Sequence, residues 1–305
     1  QAEGDLISGL RAQQAVFPGK THTVEFAFGG LGINSHWGTP RNPWDANTHR
    51  VPGGSSSGAG VSLCEGSALV ALGSDTAGSV RIPASITGNV GLKTSYGRWP
   101  VSGIFPLSPT LDTAGVLTRS VADAVTVFSA MDPHQRSYGP RLAREVSRCT
   151  PADFVIGTGE RALWDDCDPG ISETVDDALK ALGQAGVQTV SAPLPEAGPA
   201  IELLKVGSVV AAEIDEMLSS TAPQWRETLD PVVSSRIRDG GSISASEYLH
   251  RRRRLRELSH SAVQQFSSCQ VMASPTVAIS PPAVEDVQTV DAYRPKNMGA
   301  LRNTC

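Results

Sequence analysis

Apolar positions recur at three- and four-residue spacing over about residues 171–186, 201–220 and 244–266, which predicts amphipathic helices there. Between and around them lie short runs rich in β-branched or apolar residues, Phe154 to Gly157, Val187 to Ser191 and Val271 to Ala278, which read as strands. Alternation of strand and helix predicts an α/β layered fold. A different pattern fills residues 59–72, where Val61, Leu63, Leu69, Val70 and Leu72 stand among alanines, glycines and serines. That run predicts a buried helix with a closely approachable backbone, capped by Ser56 or Ser57 and stopping at Gly73. Leu194 to Pro199, by its proline and glycine content, predicts a loop and is the one mild candidate for a boundary. No internal repeat is present.

The approaches to the 59–72 run carry the chemistry. Before it stands Gly53-Gly54-Ser55-Ser56-Ser57-Gly58; after it stands Gly73-Ser74-Asp75-Thr76-Ala77-Gly78-Ser79-Val80-Arg81-Ile82-Pro83. Two glycine-framed serines brought together across such a run suit a nucleophile and its proton relay. Attack on an amide builds negative charge on the carbonyl oxygen. A turn of small residues can aim successive backbone N–H groups at that oxygen with no side chain in the way. Thr76, Ala77, Gly78 and Ser79 are the candidate donors. Asp75 and Arg81 flank the nucleophile and are expected to pair and hold the loop; Arg81 stays protonated and cannot readily act as a base.

Over Gly53 to Pro83 almost without interruption, the chain resembles the amidase signature family. The resemblance continues through Gly91-Leu92-Lys93, Tyr96-Gly97-Arg98, Phe105-Pro106-Leu107-Ser108 and Leu111-Asp112-Thr113-Ala114-Gly115. Upstream, Gly19-Lys20-Thr21, Glu25-Phe26-Ala27 and Gly38-Thr39-Pro40-Arg41-Asn42-Pro43-Trp44 also look like that family. It implies a Ser–cis-Ser–Lys triad, with Ser79 as nucleophile, Ser55 as relay on a cis Gly54–Ser55 peptide, and a neutral lysine as base. It also implies a large mixed sheet covered by helices in three α/β/α layers, and an amidase cleaving a non-peptide carboxamide C–N bond through an acyl-enzyme, without a cofactor. The family more often has glycine at Ala77, a change that keeps the N–H donor.

The lysine is the point of difference. The five lysines are Lys20, Lys93, Lys180, Lys205 and Lys296, and none lies in a context matching the family's catalytic lysine. Lys20 belongs to a later Gly-Lys-Thr element, and Lys93 reads as a strand residue with its own packing or hydrogen-bonding role. With 54 residues before Ser55, the expectation is one domain over 1–305, shortened at both ends relative to the family and lacking its lysine-bearing segment. Little amidase turnover is expected of the 305 residues alone. Two other readings follow: a catalytically silent fragment or partner subunit, and the glutamyl-tRNA amidotransferase A-type branch. The Ser55-Ser56-Ser57-Gly58 form and Ala77 look more like free-standing amidases.

Composition narrows the rest. A 40% hydrophobic share over 305 residues supports a substantial core. The formal charge of −5 carries no global bias toward nucleic acid or membrane. Five widely spaced cysteines suggest a reducing compartment, and neither they nor six scattered histidines have metal-ligand spacing. Neither a leader-like segment nor an apolar stretch of membrane-spanning length is present, so a cytoplasmic protein is expected. The expected partners are a small-molecule amide and, at most, a second copy of the chain. Three decoys fall away. Gly19-Lys20-Thr21 lacks the glycine five residues earlier that a phosphate loop needs, since Gln14 stands there. Gly54 to Gly58 matches G-x-S-x-G around Ser56, but residues 48–52 read as loop where an elbow needs a strand. The Arg251 to Arg254 run wraps a helix rather than one face, with Glu247 and Glu257 placed to pair with Arg251 and Arg253.

Overall fold

The computed structural model describes residues 3–135, 141–159, 161–205 and 208–304. Helix α1 (Asp5–Ala12) precedes a long irregular stretch, which leads to α2 (Ser57–Cys64), β1 (Val70–Asp75) and α3 (Arg81–Thr87). Then come β2 (Val90–Lys93), β3 (Thr113–Thr118), α4 (Val121–Met131) and α5 (Arg141–Val146). The next stretch alternates: β4 (Val155–Thr158), α6 (Arg161–Trp164), α7 (Ile171–Gln184) and β5 (Gln188–Ser191). Helices α8 (Ala197–Lys205), α9 (Val209–Thr221), α10 (Pro231–Gly241) and α11 (Ala245–Gln264) follow, before β6 (Val271–Met272) and α12 (Val290–Leu301).

The strands form two three-stranded sheets, ordered β1-β3-β2 and β5-β4-β6. In the first, β3 is central, antiparallel to both neighbours and buried along its whole length. Its register sets Asp75 opposite Thr113 and Lys93 opposite Gly115, which places the end of β1 where the nucleophile turn begins. The second sheet is parallel, with α7 lying between β4 and β5 in sequence as a crossover requires. The fold is mixed α/β with helices against both sheets.

Three expectations shift. The 59–72 run is not one helix: α2 ends at Cys64, Gly66 takes a positive φ of 78°, Leu69 is exposed, and residues from Val70 onward pair with β3. Periodicity cannot separate a short buried helix from a buried strand, and here the open edge of β3 decides. The 201–220 helix is two helices, with Ser208 capping α9 by accepting from Ala211 N–H, while residues 206 and 207 lie outside the described residues. The strand expected over 271–278 pairs only at Val271 and Met272. The helices expected at 171–186 and 244–266 stand as α7 and α11, the former with Gly170 N–H donating to Glu173 at its start.

On α11, Arg251 pairs with Glu247 at 2.6 Å, Arg254 with Glu257 at 3.3 Å, and Arg253 with Glu257 at 3.8 Å. These local pairs and the Arg252–Tyr248 stacking engage the arginine run on its own helix. Among the described residues Cys64, Cys149, Cys167 and Cys269 are free thiols; Cys305 lies outside them. No helix of the described residues is long and apolar enough to cross a membrane.

Candidate active site

The two serine loops meet because small residues let their backbones touch. Gly54 N–H donates to Gly30 O at 2.8 Å and Gly53 N–H to Leu31 O at 3.1 Å. A Cβ on Gly54 would come within 2.7 Å of both Gly29 O and Gly32 N, so no larger residue fits. The Gly54–Ser55 peptide is cis. Ser55 is 1% exposed and its carbonyl accepts from Val24 N–H at 3.0 Å, while Ser56 N–H donates to Ser79 O at 3.2 Å. That last bond joins the loops directly. Ser56 heads α2 as its N-cap but makes no side-chain capping bond; its hydroxyl donates to Ser74 O at 3.4 Å instead. Among the described residues no hydrogen bond links the Ser55 and Ser79 hydroxyls.

Ser79 is 6% exposed and lines a cavity together with Thr76 and Ala77. The turn carrying it is pinned from within. Asp75, 1% exposed, accepts from Arg81 Nε at 3.0 Å and Arg81 Nη2 at 2.8 Å, a bidentate pair. The same carboxylate also accepts from the N–H groups of Gly78 at 2.8 Å, Val80 at 3.1 Å and Arg81 at 3.3 Å. Burial alone would raise the Asp75 pKa, but the Arg81 guanidinium and these backbone donors outweigh it and hold it below the ordinary value.

This arrangement corrects one expectation. Gly78 N–H already donates to Asp75, so it is engaged in the structure rather than aimed at a substrate oxygen. The candidate oxyanion donors are then Thr76, Ala77 and Ser79. Thr76 is fixed by its hydroxyl, which donates to Asp112 at 2.5 Å; Asp112 also accepts from Leu107 and Ser108 N–H, and burial pushes its pKa up. What Gly78 supplies is its conformation, φ 125°, and its lack of a side chain: a Cβ would fall 2.2 Å from Thr304 Oγ1 and 2.6 Å from Ile82 Cδ1. Gly78→Ala is therefore expected to lower stability by about 1–3 kcal/mol through backbone strain. A denaturant midpoint equal to that of the parent chain would show that the turn relaxes freely.

Several site residues have no local signal in the sequence. Thr304 donates from Oγ1 to Ala77 O at 2.8 Å and accepts from Arg81 Nη2 through its carbonyl at 2.7 Å, clamping the turn from the far end of the chain. Asn297 accepts from Gly30 N–H at 2.8 Å and so supports the loop on which Gly54 rests. Its one hint is an asparagine on the buried stripe of α12 formed by Tyr293, Asn297 and Ala300. Arg236 on α10 and Arg294 on α12 line the same cavity as Ser79.

Four of the five lysines have described side chains. Lys93 Nζ donates to Thr94 O at 2.7 Å, and its pKa is lowered by burial first and by Arg81 second. Lys180 pairs with Asp177 on α7, and Lys20 and Lys296 are exposed. The Lys205 side chain lies outside the described residues. Among the described residues no cluster of histidine, cysteine or acidic side chains could hold a metal ion.

Known proteins share this arrangement of chain. The 2-amino-5-chloromuconic acid deaminase of Comamonas testosteroni is 50% identical over 304 residues, all of this chain and 65% of that protein. The A-type component of the glutamyl-tRNA(Gln) amidotransferase of Symbiobacterium thermophilum is 34% identical over 220 residues, 69% of this chain and 44% of that protein. The chain thus spans less than two thirds of these relatives' lengths. Among solved structures, an inhibitor-bound vestigial complex, described as revealing the origins of an s-triazine catabolic enzyme, superposes with a TM-score of 0.85. It is 27% identical, and the match covers 99% of this chain and 67% of that one. The amidase family model matches residues 1–304, and with both glycine-framed serine loops inside that span, the chain belongs to the amidase family.

Proposed function

We propose that this chain carries the nucleophilic half of an amidohydrolase that cleaves a carboxamide C–N bond through an acyl-enzyme on Ser79. The observation that supports it is the position of Ser79: nearly buried, on a turn braced by Asp75 and Arg81, and open to a cavity alongside Thr76 and Ala77. Ser79 Oγ attacks the amide carbon while its proton passes through Ser55 to a base. The carbonyl oxygen takes the negative charge and is held by backbone N–H groups drawn from Thr76, Ala77 and Ser79. The tetrahedral intermediate collapses, the C–N bond breaks, and the nitrogen leaves with the returned proton. Water then enters by the same route, breaks the ester and leaves a carboxylic acid with Ser79 restored.

The base that such a site needs is the family's lysine, and none of Lys20, Lys93, Lys180, Lys205 and Lys296 stands in a matching context of the 305 residues, which form one unit. Without it the chain is the silent scaffold of such a site, a reading favoured by the engaged or exposed positions of Lys93, Lys180, Lys20 and Lys296. The deaminase relative, named for C–N chemistry on a small acid, supports free-standing hydrolysis over the amidotransferase branch. A cytoplasmic setting accords with the free thiols.

In any preparation of the chain that hydrolyses an amide or ester, a fluorophosphonate or sulfonyl fluoride is expected to modify Ser79, located by peptide mass mapping. Modification confined to Ser56 would replace this reading with a G-x-S-x-G nucleophile. Turnover that survives both Lys20→Ala and Lys93→Ala in the 305 residues alone would show that another base operates.

A further inference from the structure

One buried carboxylate ties together two parts of the Ser79 cavity wall. Asp112 is 6% exposed; its Oδ1 accepts from the Thr76 hydroxyl at 2.5 Å, and its Oδ2 accepts from the N–H groups of Leu107 at 3.0 Å and Ser108 at 2.9 Å. Thr76, on the nucleophile turn, and Leu107, on the loop before β3, both line that cavity. The segment carrying Asp112 is itself a closed turn, with the N–H groups of Leu111 and Asp112 donating to Ser108 O at 2.9 Å and 2.8 Å. Glu213 of α9 braces it. The Glu213 carboxylate accepts from Ser108 Oγ at 2.6 Å, from Thr110 N–H at 3.2 Å, from the Thr110 hydroxyl, and from the Tyr248 hydroxyl of α11 at 2.6 Å. The three donors on Asp112 are neutral, and the charge acting on it is the like charge of Glu213. Hydrogen bonds to an ionised group are strong, and a buried charge that loses a donor is costly, so each of the three is held firmly to the carboxylate. Two of them belong to the cavity.

We propose that Asp112 is a positioning residue for acylation: through Oδ1 it aims the Thr76 N–H at the oxygen that takes the negative charge, and through Oδ2 it sets Leu107 beside the path of the acyl group. Asp112 touches no reacting atom and acts through Thr76 and Leu107. The inference rests on the hydrolytic reading above for the identity of that oxygen, whereas the tie between the two parts of the wall rests on the hydrogen bonds alone. The two arms have different kinetic consequences. Loss of the Thr76 arm weakens a contact made in the transition state, which lowers kcat at unchanged KM; loss of both arms also frees Leu107, which raises KM.

The test combines hydrogen–deuterium exchange in the 305-residue chain, which needs no turnover, with steady-state kinetics in a preparation that hydrolyses an amide. Asp112→Ala is expected to speed exchange of both the 75–80 and the 104–109 segments by about ten- to hundredfold, the scale of a lost hydrogen bond to a charged group, and Thr76→Val that of 75–80 alone. Asp112→Asn should restore slow exchange in both, because its carbonyl oxygen can take the two backbone donors while its amide donates to the Thr76 hydroxyl. In the kinetics, Asp112→Ala and Thr76→Val are each expected to lower kcat by about 10²-fold, the lower end of the cost of a lost oxyanion donor, with KM raised only in Asp112→Ala. The double variant should lose no more kcat than Asp112→Ala alone, since both changes cut the same arm. Asp112→Asn is expected to keep more than about a tenth of the parent kcat. Unchanged exchange over 75–80 in Asp112→Ala, additive losses in the double variant, or an Asp112→Asn as slow as Asp112→Ala would each overturn the proposal. Should Asp112→Ala fail to fold, Thr76→Val decides: parent exchange over 75–80 with parent kcat would overturn it as well. A protein that cleaves no amide fails the hydrolytic reading on its own experiment, while exchange still decides whether Asp112 holds the turn.

Discussion

Ser79→Ala in a preparation that hydrolyses its best amide is expected to lower kcat by about 10⁶-fold, the scale seen when an acyl-enzyme nucleophile is removed. The residual rate comes from the backbone donors and the binding cavity, which the substitution leaves in place. On the relay proposed for Ser55, Ser55→Ala removes only the proton path, so its loss is expected at about 10²–10⁴-fold, the range of general-base assistance. The proposed relay makes the two serines one unit, so on that reading the double variant should be no slower than Ser79→Ala alone. Single-turnover measurement with an activated ester separates the steps, since acylation needs both serines. Full activity in Ser55→Ala would remove the relay, and more than about a tenth of the parent rate in Ser79→Ala would remove the nucleophile.

Arg81→Ala is expected to destabilise the fold by about 3–5 kcal/mol, because it leaves a buried carboxylate without its counter-charge. Asp75 would keep three backbone donors but lose both guanidinium bonds, and the Arg81 contact to Thr304 O would go as well. The sign of the pH dependence follows from the lowered pKa of Asp75. In the parent chain its contribution is fully present above its unfolded value of 3.8, and it is lost as pH falls through the still lower folded value. In Arg81→Ala the burial that opposed ionisation is no longer outweighed, so the deficit relative to the parent should narrow on acidification. Urea unfolding between pH 7 and pH 4 measures both effects. A loss within about 0.5 kcal/mol of zero at neutral pH would mean that the turn is held by something other than this pair.

Residues close in the chain are legible because their chemistry is local. Asp75 and Arg81 are six positions apart, so a carboxylate and a guanidinium flanking a tight turn meet across it. The helices at α7 and α11 follow from periodicity and, on α11, from glutamates at four-residue spacing from arginines. The cis peptide before Ser55 and the family itself come through a resemblance over fixed positions rather than through physical derivation. The run from 59 to 72 misleads because its apolar residues satisfy a buried helix and a buried strand equally; only pairing with Thr113–Thr118, some forty residues on, separates the two.

The sequence by itself determined which short segments could carry the chemistry: two turns where only small residues fit, each presenting a serine, and a carboxylate with its counter-charge beside one of them. Tertiary structure decided what surrounds that chemistry. Thr304 on the Ala77 carbonyl, Asn297 under the Gly30 loop, the engagement of Gly78 N–H by Asp75, and the Arg236 and Arg294 wall all depend on where α10 and α12 dock. Docking is set by burial of their apolar faces against Leu31, Val51, Ile82, Ile214 and Leu218, a non-directional force that leaves no mark on the polar residues it carries into place.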